Sequence, residues 1–154
     1  MSALVPALLV NFLFPAALAL AISSDLIGRI IPNAVVALLA LGFALLCLTA
    51  AVPDIPARLL AALAVLGTGF ALFAQDIIGA GDAKLAGALA LWLDPAQLPA
   101  FALVCAGIGL VLVVVATWNH HRASGRFPSL PYGVALAGAG LLLFPQSGLM
   151  AALV

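Results

Sequence analysis

Two aspartates stand out among the few polar residues of this chain. Asp25 and Asp82 lie 57 positions apart, each beside a long apolar run. Carboxylates at the edge of a membrane segment are costly to place and by default point to function. Two carboxyls brought together share one proton, because like charges at close range cannot both ionise. The protonated partner can polarise a peptide carbonyl while the ionised one takes a proton from water. A pair of this kind hydrolyses a peptide bond and needs neither metal nor cofactor, so none is expected.

The flanking residues add detail. Downstream of Asp25 comes Ile31-Pro32-Asn33. Pro32 lacks a backbone donor and Asn33 can cap the next helix. Asp82 closes the run Gly79-Ala80-Gly81-Asp82, and Lys84 follows. Glycine permits positive φ and close approach of a second backbone. An extended substrate strand beside Asp82 requires that clearance. Lys84 can either set the field at Asp82 or anchor its helix at the headgroups. The other acids read more simply. Asp76 lacks a glycine setting and reads as a loop residue, Asp54 is spaced to pair with Arg58, and Asp94 before Pro95 reads as an N-cap. Adjacent His120 and His121 point in different directions on a helix, with no supporting ligand cluster, so a metal site is not expected. Cys47 and Cys105 form no CxxC pair and read as packing residues.

The elements that position the two acids follow from composition. The chain has 154 residues, of which 67% are hydrophobic and 6% charged. Its mean hydropathy is +1.36. A soluble domain carries about 45–50% apolar and about 25% charged residues. This excludes a soluble enzyme, a free nucleic-acid binder and a disordered chain. The solvent is a lipid bilayer, and the zero net charge attracts no polyion. Nothing in the sequence specifies an oligomeric state.

Apolar runs divide residues 1–154 into one all-α, polytopic domain of six spans: 4–22, 34–52, 59–75, 85–93, 100–117 and 134–154. Pro145 is expected to bend the last. The fourth run is short for a crossing and can be extended by a snorkelling Lys84. With six spans, Arg29, Lys84, Arg122 and Arg126 fall on one side and Arg58 on the other. The positive-inside rule makes the first set cytoplasmic, puts both termini outside, and sets Asp25 and Asp82 at the cytoplasmic face. Trp118 and Tyr132 bracket the fifth loop as interfacial aromatics. Ala17-Leu18-Ala19 mimics a signal-peptidase site, but no basic residue precedes the first run, which is therefore expected to be retained.

Asp25 with Ile31-Pro32-Asn33, and Gly79-Ala80-Gly81-Asp82 with Lys84-Leu85, resemble the type IV prepilin peptidases, which are GxGD membrane aspartyl proteases. Pro131-Tyr132-Gly133 also matches a segment of the short family members. The resemblance implies a presenilin-like helical bundle with Asp25 and Asp82 as the catalytic pair. It places Gly79, Gly81, Lys84, Pro32, Asn33 and Tyr132 around the site. It implies cleavage of prepilins, substrates with a basic leader ahead of a hydrophobic helix, at the cytoplasmic face of a bacterial inner membrane. The chain has no CxxC-bearing insert, so N-methylation is not expected. Its brevity is similar to that of the peptidases of tight-adherence (Flp-type) pilus systems. A transporter or proton pathway and a non-catalytic pilus assembly factor are the competing readings. Neither explains both acid motifs at one interface.

Overall fold

The computed structural model describes residues 4–49, 52–120 and 130–153. Arg122, Arg126 and His121, on which the topology and metal readings partly rest, lie outside the described residues. The described chain is all helical. The helices are α1 (Leu4–Gly28), α2 (Asn33–Thr49), α3 (Ile55–Phe73), α4 (Ala80–Trp92), α5 (Leu98–His120), α6 (Tyr132–Leu143) and α7 (Gly148–Leu153). Leu4–Gly28, Ile55–Phe73 and Pro95–Trp118 are long and apolar enough to cross a membrane. Asn33–Thr49 and Tyr132–Gln146 are apolar but shorter.

Each expected run holds a helix among its described residues, but the boundaries shift in ways that matter for the site. α1 continues past Ile22, so Asp25 lies inside its last turn and not beyond the span. Pro15 lacks an N–H and crowds the carbonyl four residues back. The helix accommodates it with a π-helical turn at Leu9–Leu13, where the Phe14 N–H reaches back to the Leu9 carbonyl. Ala17 and Leu18, in the signal-like segment, are fully buried. α4 starts at Ala80 with Gly79 as its extended N-cap, so Ala80-Gly81-Asp82 is helical and the helix begins ahead of the apolar run 85–93. Its 13 residues give about 20 Å at 1.5 Å each. α4 is enclosed by α2, α3 and α6, so its surface meets mainly other helices and none of its residues is fully exposed. The final run does more than bend at Pro145. It breaks into α6, a 3₁₀ turn at Phe144–Gln146 and α7.

The core is aromatic at its centre. Trp92 is fully buried and its Nε1 donates to the Leu39 carbonyl at 3.0 Å. Phe14 stacks between Trp92 and Phe144, with ring centroids 4.9 and 4.1 Å away. Gly69 lets α3 meet α4, since a Cβ there would lie 2.9 Å from that of Ala83.

Arg58 organises the end of the bundle where α4 finishes. It is 1% exposed and pairs with Asp94, not with Asp54 as the spacing suggested. Its Nη1 donates to the carbonyls of Leu91, Trp92 and Leu93 at 3.3, 3.2 and 3.0 Å. These are the carbonyls a helix end leaves unpaired. Asp54 takes a left-handed conformation (φ 54°) ahead of α3 and contributes its carbonyl to the Arg58 N–H. Asp94 does stand at the head of the Pro95–Gln97 turn. Its carboxylate turns instead to Arg58 and to the Gly148 N–H, at 2.6 Å from the latter. One ion pair thus joins the starts of α3 and α7 to the end of α4.

Candidate active site

The opposite end of the bundle gathers the end of α1 and the starts of α4 and α6. Asp25 is 4% exposed on α1. Its Oδ2 accepts the Val134 N–H at 3.1 Å. Val134 is the third residue of α6, whose first N–H groups have no partner within the helix. The carboxylate therefore sits at the positive end of a neighbouring helix. Gly133 makes the approach possible. A Cβ there would stand 2.9 Å from Asp25 Oδ2 and 2.8 Å from Ile31 Cδ1. Gly133→Ala is expected to displace Asp25 and to lower peptide cleavage about a hundredfold, the scale for a misplacement near 1 Å. Protein level in the membrane should be unchanged, and both are read on one blot.

Asp82 is the third residue of α4 and only partly exposed. Its Oδ2 accepts the Gly79 N–H at 3.2 Å, closing the first turn. A Cβ on Gly79 would lie 2.9 Å from that oxygen, and one on Gly81 would lie 3.2 Å from Ile31 Cβ. The glycines therefore serve close approach alone. No described glycine has a positive φ, contrary to one half of the sequence expectation. Ile31, buried, touches the Gly81 and Gly133 positions together. It is the spacer between the element carrying Asp82 and the one receiving Asp25.

Both carboxylates line one cavity of about 600 Å³, together with Arg29, Asp76, Gly79, Gly81 and Tyr132. Asp82 lies ahead of the apolar stretch 85–93 of its helix. Burial pushes its carboxyl above the usual carboxylate range, the Gly79 N–H opposes this, and the charge of Asp25 adds to the rise. Pro32, Asn33 and Lys84 stand elsewhere. The Pro32 carbonyl accepts the Val35 N–H at 3.0 Å in the turn into α2. Lys84 Nζ donates to Asn33 Oδ1 at 3.1 Å. Lys84 therefore ties α4 to α2 and lines a separate hollow between them and α3.

Four contributors were not legible as such. Asp76 reads as an ordinary loop residue, yet it lines the cavity from a left-handed position (φ 57°) at the end of α3. Arg29, also left-handed, terminates α1 by donating its N–H to the Asp25 carbonyl at 3.0 Å. The other two are Ile31 and the Gly133–Val134 step. The one advance signal was the glycine directly after Pro131-Tyr132 at a helix start. Among the described residues no three His, Cys, Asp or Glu side chains cluster as metal ligands.

A strongly apolar helical protein with Asp25, Asp76 and Asp82 lining one cavity has the solvent and the acid groups that a membrane-embedded aspartic peptidase needs. The model of the type IV leader peptidase family matches residues 12–114, and the chain belongs to that family. Membership makes it an aspartic-type endopeptidase of the membrane, in a family that acts on prepilin leaders. No curated protein and no solved structure matches the chain.

Proposed function

We propose that Asp25 and Asp82 are the catalytic pair, and that they remove the leader from Flp-type prepilins at the cytoplasmic face of a bacterial inner membrane. The observation that carries this reading is the single cavity that both carboxylates line. Asp82, with its raised titration, holds the shared proton and hydrogen-bonds the scissile carbonyl. Asp25, fixed by the Val134 N–H, accepts a proton from water as the water oxygen bonds to the carbonyl carbon. The tetrahedral adduct then loses its C–N bond, and the departing amine takes the proton that Asp25 gained. The substrate's own membrane anchor supplies the proximity that a weakly nucleophilic water needs.

In this reading the six apolar runs all cross, with both termini outside, and the bundle is of the presenilin-like kind. Residues 1–154 act as one domain, with no resident metal or cofactor and no N-methylation. Gly79, Gly81 and Tyr132 shape the cavity, while Lys84 and Asn33, with Pro32 at the turn, hold α4 against α2.

Coexpression with a prepilin tests the reading, with cleavage seen as a gel shift. Absence of a shift with any pilin precursor would refute it. The pH dependence has a definite sign. Catalysis needs the proton on Asp82, so the rate falls as pH rises through that raised titration. Stability runs the same way: the folded protein retains a proton that the unfolded chain has already lost, so rising pH removes stability between the ordinary carboxyl range and the raised one. A rate that climbs steadily above neutral pH would exclude Asp82 as the proton donor.

A further inference from the structure

The carboxylate cavity does not end in polar surroundings. Asp82, Ile78 and Tyr132 also line a second, apolar hollow of about 470 Å³. Its walls are α3 and α5 and its floor is α4 and α6. Along α3 it runs from Ala61 to Leu72, and along α5 from Leu98 to Cys105. A third hollow of about 420 Å³, between α5 and α6, shares Cys105, Tyr132 and Leu136 with it. Ala61 to Leu72 along α3 spans about 17 Å of helix at 1.5 Å per residue, about half of a bilayer core of about 30 Å.

Two features distinguish this groove from an ordinary lipid-facing surface. It opens directly onto a catalytic carboxylate, which a lipid chain has no use for. Its neighbour is a polar chamber lined, among the described residues, by the carboxylates of Asp25 and Asp76, the protonated Asp82 and the cation Arg29, so it is acidic on balance. An apolar slot joined end to end with an acidic chamber complements one kind of ligand: a chain with a basic polar segment running directly into an apolar helix. Small wall residues, among them Ala61, Ala64 and Ala102, leave room for a helix backbone to come close.

Resting on the peptidase reading above, we propose that the groove between α3 and α5 is the docking site for the substrate's transmembrane helix. That helix lies along α5 and leaves the groove past Tyr132 and Asp82. The peptide bond just beyond its end is thereby delivered to the two acids, and the leader occupies the acidic chamber. Cleavage position is set by where the helix ends against Tyr132, not by a side-chain pocket.

The test uses the full chain in membranes with Asp82→Asn, which keeps the substrate whole and, because Asp82 holds the shared proton in this reading, leaves the charge of the chamber unchanged. A photo-crosslinking residue replaces either groove-lining Ala102 or its outward neighbour Leu103, which is 74% exposed. The probe is a coexpressed prepilin of the basic-leader, apolar-helix type. Position 102 is expected to capture it at least about tenfold more than position 103. In parallel, Ala64→Trp in the otherwise unaltered enzyme should slow cleavage of the anchored precursor at least about tenfold. It should spare a short soluble peptide spanning the same junction. Equal capture from both positions, capture from 103 alone, or capture from neither overturns the proposal, whether or not the enzyme cleaves. Selective capture from 102 without cleavage by the unaltered enzyme sustains the groove and refutes the peptidase reading instead.

Discussion

Asp25→Asn and Asp82→Asn are each expected to lower prepilin cleavage by about 10³-fold, within the range of general acid–base catalysis. The geometry makes these variants unusually clean. An asparagine at position 25 can still accept the Val134 N–H through its amide oxygen. An asparagine at position 82 can still accept the Gly79 N–H, so both helix starts keep their hydrogen bonds. What each variant loses is the shared proton. In the proposed mechanism asparagine at 25 leaves no base for the water, and asparagine at 82 removes the proton held for the carbonyl. The measurement is precursor processing in membranes, normalised to the amount of enzyme. Asp54→Asn is the control. Asp54 lies beside the Arg58 end in a left-handed conformation that asparagine adopts readily, and cleavage should stay at the unaltered rate. Full processing by either catalytic-pair variant would remove that aspartate from the mechanism.

The second large effect is on stability. Arg58→Met should destabilise the fold by about 3–5 kcal/mol, the cost of breaking a buried ion pair from one side. Methionine matches the apolar character of the arginine stem. It leaves Asp94 without its cation and the Leu91, Trp92 and Leu93 carbonyls without their donor. α4 is the helix that carries Asp82, so its far end loosens while its catalytic end is untouched chemically. A loss of that size is a large fraction of the total of about 5–15 kcal/mol typical of folded proteins. Thermal unfolding in detergent reads it directly. Asp94→Asn should cost less, because Arg58 keeps its carbonyl partners at the end of α4. An Arg58→Met protein melting with the unaltered one would show that the cluster is not a structural lock.

Lys84 shows how a residue of the motif can be found by sequence while its partner becomes visible only in the fold. Its place two residues after Asp82 invites a charge effect on the acid. On a helix, however, positions two apart face different directions. Because the motif turned out to be helical, Lys84 points to Asn33 and ties two helices together. Arg58 is the parallel case. The four-residue spacing favoured Asp54, but a left-handed Asp54 sits outside the regular helix, and the unpaired end of α4 offered more acceptors.

Local composition and residue types at short spacing were enough to specify the solvent, the helical class and the two acid motifs. A run of apolar residues without charge must be helical in lipid to satisfy its own backbone, and no neighbour is needed to decide it. Which helix receives which carboxylate is a different matter, visible only in the packed bundle. Asp25 meets Val134, 109 positions away, through a glycine that has meaning only once Ile31 is packed beside it. Asp76 joins the cavity because the end of α3 turns back there, and the groove exists because α5 stands away from α3. Contacts of that kind are set by how whole helices stack, and stacking depends on every side chain along them at once.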